Sequence, residues 1–401
     1  MRNLKIFTDK IEQSALQQIN ELLEQEAFKD CKVRIMPDVH SGIGCVIGFT
    51  ADLGDKVVPN LVGTDIGCGV IIVPLGKINI DLEKLDNYIK SFVSYGFAIN
   101  TKKLADFNLR LLRCYDYLRR ANALEYALGS LGGGNHFIEI DTSADGDKYL
   151  LIHTGSRNLG LQVASIYQKL AVKLRKTAPI QEREELIATL KKQNRQSDIP
   201  QALEKLAFKY RNETKLRPEL CYLDGKDRDD YLHDMRLCQE WAKLNRRTLV
   251  KAILNHLQKD QKLRFEQNPE KVMFESVHNY IGDDNIIRKG AISARKGEKV
   301  LIPINMRDGC ILGIGKGNED WNYSAPHGAG RILSRGEAKK LLSMEEFTQT
   351  MAGIYSTSVV TSTLDESPMA YKPIEDITSN IGDTVEIIEI IKPIYNFKAS
   401  E

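Results

Sequence analysis

A mixed α+β fold, organised as one large domain over residues 1–401, is what the sequence predicts, and three observations predict it. Strand-like and helical runs are intermixed along the chain and do not segregate into separate halves. No internal repeat, low-complexity tract or obvious linker divides it. The 401 residues, 42% of them hydrophobic, are ample for one large core.

Residues 3–7 read as a short strand. A helix follows: Asp9 and Glu12 have capping-box spacing, and Ile11, Ala15, Leu16, Ile19, Leu22 and Leu23 recur at helical spacing. Cys31–Met36 resembles a strand, and a Gly-rich tract from Pro37 to Gly69 leads to a buried strand at Val70–Leu75. Residues 81–127 read as mostly helical and carry Lys102, Lys103, Arg110, Arg113, Arg119 and Arg120. Phe137–Asp141 and Tyr149–His153 read as two strands joined by a polar turn. Leu161 to Gln258 reads as a helical lobe, interrupted near Pro179, Pro200 and Pro218. Strand-like runs return at Val272–Tyr280, Lys299–Ile304 and Cys310–Ile314. Ser334–Glu337 and Ser343–Glu346 have capping-box spacing and mark a helix pair near 335–352, before a terminal strand at Thr384–Phe397.

A net charge of +2 excludes a chain that is basic throughout, so any polyanion-binding face is local. Seven cysteines without a CxxC pair argue against a disulfide framework and for a reducing compartment. The N-terminus lacks the apolar core of a signal peptide, and no apolar run reaches the roughly 18 residues that span a bilayer. The expectation is a soluble, cytoplasmic protein with no membrane role.

The chemistry concentrates on histidines. Of seven, five stand beside Gly, Asn or Ser: His40 in DVHSG, His136 in GGGNHF, His153 in LIHTGS, His278 in SVHNY and His327 in APHGAG. His233 and His256 lie in charged helical stretches. One such histidine alone is more often structural than a ligand, but five beside a DIGC element point to a site. Asp65 and Cys68 are three apart in TDIGCG, where flanking glycines permit a sharp path, so a carboxylate and a thiolate can face one metal. His136, His153 and His278 lie on or beside strand-like runs and can converge from the ends of a sheet. One Asp, one Cys and three His are too mixed for a closed structural zinc site and suit a catalytic pair of divalent ions. Ligand type leaves Mn, Zn, Fe and Co open. GSLGGGNHF and HTGSRNLG offer backbone N–H groups for phosphate. In HGAGR, a neutral His327 is placed to attack phosphorus, with Arg331 neutralising phosphate oxygens. The bland alternative is a glycine turn with a structural histidine.

Together these residues resemble the RtcB family of RNA-splicing ligases. The resemblance is carried by MPDVHSGIGCVIGFTA at 36–51, LVGTDIGCGV at 61–70, GGGNHFIEI at 132–140, LIHTGSRNLG at 151–160, VHNY at 277–280, PHGAGR at 326–331 and DESPMAYK at 365–372. It implies two Mn²⁺ ions, one on Asp65, Cys68 and His136 and the other on Cys68, His153 and His278, with Cys68 bridging. It implies GTP as cofactor and His327 as guanylate carrier. Guanylate contacts carry over to Asn135, His136, Phe137, Ile138 and Glu139, to His278 and Asn279, and to Gly328, Ala329, Gly330 and Lys398. The guanine-side loop falls at Pro303, Ile304, Asn305, Met306 and Cys310. Asp38 matches the family's acidic residue, and Arg157 and Arg331 match arginines that touch phosphates. The implied reaction joins an RNA 3′-phosphate or 2′,3′-cyclic phosphate end to a 5′-hydroxyl end, in tRNA splicing or RNA repair. An activating protein of the archease type and a monomeric state are the corresponding partner expectations.

Three departures from the family pattern stand out. The loop usually like PGSMG reads PINMRDG at 303–309, with Cys310 where a serine is usual. The interval from His153 to His278 is longer and includes Lys169–Arg211, with eleven Lys or Arg against five Asp or Glu. The terminal KG reads Lys398–Ala399. They suggest a divergent RNA-repair branch, with the basic lobe as an RNA-backbone contact or simply a solvated face. Competing readings are a metal-dependent RNA-end phosphoesterase or nucleotide hydrolase without ligation, and a non-catalytic RNA-binding repair subunit.

Overall fold

In the computed structural model, which describes residues 3–213 and 216–399, the chain opens with β1 (Leu4–Ile6), α1 (Gln13–Leu23), β2 (Val33–His40) and β3 (Ile47–Asp52). β4 (Lys56–Val57) and α2 (Pro59–Val62) lead into β5 (Gly69–Gly76), α3 (Leu82–Phe92) and α4 (Ala121–Leu124). A hairpin of β6 (Phe137–Thr142) and β7 (Lys148–Thr154) precedes α5 (Arg157–Lys176), α6 (Ile180–Lys192), α7 (Ile199–Phe208), β8 (Leu223–Asp224) and the long α8 (Gly225–Lys259). Then come α9 (Pro269–Val272), β9 (Phe274–Val277), β10 (Tyr280–Ile281), β11 (Ile286–Lys289), β12 (Ala291–Ser293), β13 (Lys299–Asn305), β14 (Gly309–Gly315) and β15 (Ser324–Pro326). α10 (Arg335–Leu341), α11 (Met344–Thr350), α12 (Ile374–Thr378) and β16 (Val385–Lys398) complete the order.

Among the described residues the largest sheet has the order β13-β14-β16-β6-β7-β5-β9, antiparallel at every pairing. A second sheet runs β1-β2-β3-β11-β10, and only β1–β2 is parallel. The run GVIIVPLG of β5 is apolar at nearly every position because both faces of the large sheet are covered. Ile71 and Val73 join Ile138, Ile140, Leu150 and Ile152 beneath Leu249, Val250 and Ile253 of α8. Val70 and Ile72 point the other way, toward Phe137, Leu151, Leu301 and Ile391. Each buried aliphatic side chain contributes roughly 1.5–3 kcal/mol, so the sheet that carries the site is rigidly anchored.

Several sequence expectations need correction. Residues 81–127 are helical only at α3 and α4; between them lie loops and short 3-10 turns, one of them capped by the Asn108 side chain on Arg110 N–H. The Asp9–Glu12 capping box does not form, since α1 begins after Glu12 without a side-chain cap. The interruption expected near Pro200 is the break between α6 and α7, with Pro200 in the first turn of α7, where proline needs no N–H partner. Nor is 161–258 one uniform helical lobe: α5 and α8 are built into the core, while α6 buries only Leu190 and α7 none of its residues. Both later capping boxes mark real helix starts, at Ser334 with a reciprocal bond and at Ser343. Ser400 and Glu401 lie outside the described residues.

Candidate active site

Neighbouring strands β6, β7, β5 and β9 bring chemistry to one end of the large sheet. His153 pairs with Phe137 on one side and Val70 on the other, and Gly69 pairs with both Thr154 and Val277. His136, just before β6, Cys68, just before β5, and His278, just after β9, therefore lie level with His153. The turn that delivers Cys68 needs glycine. Gly67 has φ +70°, and a Cβ there would stand 2.9 Å from Gln239 Cα on α8. Its N–H donates to Asn279 O, and His278 N–H donates to Cys68 O at 2.7 Å, which clamps the two ligand loops together.

Cys68 Sγ lies 3.4 Å from His136 Nε2 and 3.3 Å from His153 Nε2, and His153 Nε2 lies 3.4 Å from His278 Nε2. Asp65 Oδ2 is 3.0 Å from His136 Nε2. Donor atoms on a tetrahedral divalent ion with bonds of about 2.0–2.3 Å stand about 3.3–3.8 Å apart, so the three Cys and His spacings match such edges, and the Asp65–His136 pair lies slightly closer. Two groups emerge, Asp65–Cys68–His136 and Cys68–His153–His278, sharing the thiol. Leu131 O accepts from His136 Nδ1 at 2.9 Å, which leaves Nε2 as a lone pair facing the cluster. Burial first, and then neighbouring imidazoles, hold His153 and His278 well below the usual histidine range, in the neutral form that a metal takes. For Asp65 burial opposes ionisation, but the His136 contact outweighs it and the carboxyl falls to about 2. The donor set thus fits a pair of divalent cations.

The cluster opens into a cleft with about 320 Å³ of internal space. His327, directly after β15, stands on its wall with its ring 4.7 Å from that of His278. Asp38, wholly buried on β2, accepts from both His327 Nδ1 at 2.7 Å and His327 N–H at 3.1 Å. Because a carboxylate only accepts, Nδ1 carries the proton of this bond and the Nε2 lone pair is left uncommitted. Gly330 has φ +76° and lies so close to Asp38 that a Cβ would meet its carbonyl oxygen at 2.2 Å. Asn279, Gly328, Ala329, Pro303, Ile304, Asn305 and Met306 also line the cleft, as do Asn135, Phe137, Glu139, Arg331 and Lys398.

Not every expected residue reaches it. On β6 alternation turns Phe137 and Glu139 toward the cleft and Ile138 into the opposite core. The Cys310 side chain packs in the apolar layer with Leu301 and Ile391. His136, expected as a nucleotide contact as well as a metal ligand, is absent from the lining and sits in the metal cluster behind it. Arg157 is also absent; its guanidinium donates to Gly96 O and Ser130 Oγ and braces the loop behind His136. The Arg331 guanidinium is held by Leu333 O, Tyr371 and Glu366. Asn396, Tyr371, Arg335 and Glu366 line the cleft although the sequence gives none of them a role, and His40, grouped with the polar-context histidines but given no role, lines it too. Glu366 is the hub: Lys398 Nζ at 2.7 Å, Arg335 Nη1 at 2.7 Å and Tyr371 OH at 2.6 Å all converge on its buried carboxylate. Burial works against that charge, but Lys398 and Arg335 prevail and hold the group at about 2. The motif DESPMAYK contained both Glu366 and Tyr371, while nothing local marked Arg335 or Asn396.

Fold and site define a candidate metal-dependent enzyme of phosphoryl or nucleotidyl transfer, with a braced histidine nucleophile beside a mixed-ligand cluster. The family model described as tRNA-splicing ligase RtcB matches residues 21–110 and 115–399, and the chain belongs to the RtcB family. It is similar to RNA-splicing ligase RtcB of Escherichia coli strain K12, 30% identical over 90% of this chain and 88% of that protein. It is also similar to tRNA-splicing ligase RtcB of Nanoarchaeum equitans, 27% identical over 90% and 86%, and to RNA-splicing ligase RtcB of Mycobacterium bovis, 24% identical over 85% and 90%.

Proposed function

We propose that this chain is an RNA ligase, using GTP and manganese to join RNA 3′-phosphate or 2′,3′-cyclic phosphate ends to 5′-hydroxyl ends. The observation that carries the reading is the Asp38–His327 pair, set in the same cleft as the cluster of Asp65, Cys68, His136, His153 and His278. When bound there, divalent cations supply charge neutralisation and Lewis-acid stabilisation at phosphate. The protein's own groups do the rest.

His327 Nε2 attacks the α-phosphorus of GTP, a P–N bond forms, and the P–O bond to pyrophosphate breaks. The proton stays on Nδ1, held by Asp38, whose carboxylate offsets the positive charge that develops on the ring. A cyclic phosphate is opened by water to a 3′-phosphate. One of its oxygens then attacks the guanylate phosphorus, the P–N bond breaks, and an RNA-3′-pp-5′-G end results. The 5′-hydroxyl of the second fragment attacks the RNA phosphorus, GMP leaves, and a 3′,5′-phosphodiester closes. Glu139 and Lys398 offer a carboxylate and an ammonium at the cleft to bind the nucleotide, and Asn305 lines the same cleft. Asn305 is tied down by Arg307 N–H, Asp308 N–H and the Asp308 carboxylate, so the unusual PINMRDG loop is an ordered turn that can orient a base. No helix among the described residues is long and apolar enough to cross a membrane. Cytoplasmic placement, a monomeric state and an archease-type activator belong to the same reading.

The test is joining of a 2′,3′-cyclic-phosphate RNA to a 5′-hydroxyl RNA with each nucleotide and each metal in turn. Product with GTP and manganese, lost in His327→Ala, supports the proposal. Cyclic-phosphate opening without joined product would replace it with an RNA-end phosphoesterase.

A further inference from the structure

Residues 93–120, between α3 and α4, bury Leu109, Leu112 and Cys114 in the core and expose other side chains that the chemistry above does not use. Phe97 is 92% exposed, more than any other large hydrophobic side chain among the described residues, and Tyr117 is 73% exposed. The backbone beneath Phe97 is nevertheless pinned. Gly96 N–H donates to Gly132 O at 3.0 Å, and Gly96 O accepts from Arg157 Nη2 at 2.7 Å. Asn100 N–H donates to Tyr126 O, and Leu131 N–H to Ser94 O. Both anchors of Gly96 belong to the candidate metal site: Gly132 opens the loop that ends in His136, and Arg157 follows Ser156, whose N–H holds Asp65. Phe97 therefore stands on a fixed rim beside the Asp65–His136 side of the cluster.

Residues 93–120 carry six Lys or Arg and two Asp or Glu. Lys103 is engaged by Glu125, and Arg110 lies over the Tyr115 ring. Lys102 and Arg120 are exposed and in no ion pair among the described residues. Exposed rings spaced among cations are the pattern of a single-strand platform, where bases stack on aromatics and phosphates meet Lys and Arg. A protein–protein interface would have a contiguous apolar core depleted in Lys. In duplex RNA the bases are stacked on each other and unavailable to Phe97.

The geometry points to residues 97–120 as the docking surface for the unpaired RNA that flanks the reacting end, with a base stacked on Phe97 and phosphates on Lys102 and Arg120. This rests on the ligase reading, and it adds a preference of the enzyme for ends in single-stranded RNA.

The experiment measures binding of a fluorescent single-stranded 5′-hydroxyl RNA and of the same RNA in a duplex, with wild type, Phe97→Ala, Phe97→Trp and Lys102→Ala. Labelling of each protein by α-labelled GTP with manganese is followed in parallel. Phe97→Ala is expected to bind single strands roughly 5- to 150-fold more weakly, Phe97→Trp to retain binding, and Lys102→Ala to flatten the salt dependence by about 0.7 in slope. Guanylate labelling should not change in any of them. Wild-type single-strand affinity in Phe97→Ala, equal binding of duplex by wild type, or a Phe97 requirement for a protein partner instead of RNA would each overturn the surface while leaving the ligase reading intact. Loss of single-strand binding in Phe97→Ala, with no labelling of any protein, would uphold the surface and remove the ligase reading.

Discussion

Replacing Asp38 by Asn probes the pair on which the mechanism turns. In the structure one carboxylate oxygen accepts two bonds from His327, one from Nδ1 and one from the backbone N–H. Each bond to a charged acceptor is worth about 1.5–3 kcal/mol, against about 0.5–1.5 for a neutral one. The carboxamide therefore loses roughly 2–3 kcal/mol of support for the attacking ring, provided its oxygen takes the carboxylate position. If the amide turns its N–H toward Nδ1 instead, the ring is pushed to the tautomer with no lone pair on Nε2, and the loss is larger. At about 1.4 kcal/mol per tenfold, labelling by α-labelled GTP should slow by at least about 30- to 150-fold. The near-isosteric change should leave the thermal midpoint within a few degrees. Single-turnover labelling, with a melting curve on the same preparation, makes the measurement. A rate within threefold of wild type in a folded Asp38→Asn protein would refute the role given to this carboxylate.

Other perturbations follow from the same geometry. Cys68→Ala removes the donor shared by both ligand groups, so manganese retained after dialysis should fall by at least half in elemental analysis; undiminished metal would contradict the bridging arrangement. Gly330→Ala places a Cβ 2.2 Å from Asp38 O at a φ of +76°, and should cost on the order of 1–3 kcal/mol in denaturant unfolding while slowing labelling through Asp38. Glu366→Gln should destabilise by on the order of 3 kcal/mol at neutral pH. Because the folded carboxyl lies below its unfolded value, at about 2, that stabilisation is present above the unfolded value and is lost as pH falls toward 2. The gap between wild type and variant should therefore narrow in acid, and a constant gap would refute the ionic hub.

Much of the site was legible because its residues sit in short, chemically unusual contexts. The DIGC turn and the NHF, LIHTGS, SVHNY and PHGAG elements each held a residue that the fold brings to the cluster or its wall. Strand alternation also explains the misplacement of Ile138: a contiguous stretch from Asn135 to Glu139 cannot face one cleft when successive side chains point to opposite faces. The surroundings of Arg157 are hidden from the sequence for a different reason. Its guanidinium finds buried carbonyl and hydroxyl partners in a loop far away in sequence, and no local pattern announces Gly96 or Ser130. Arg335 goes unmarked likewise, since its pairing with Glu366 of the DESPMAYK motif joins a 3-10 turn to the start of α10. Residues 81–127 read from the sequence as mostly helical, yet 93–120 are not. The loops there are hidden because their hydrogen bonds run to residues 126–132 and 157, beyond any local window.

The most direct test of the central claim is the site of covalent nucleotide on the protein. After incubation with GTP and manganese, peptide mapping should find one GMP on His327, as an acid-labile phosphoramidate, absent from His327→Ala and released as joined RNA appears. GMP on another residue, or equal labelling of His327→Ala, would contradict the account.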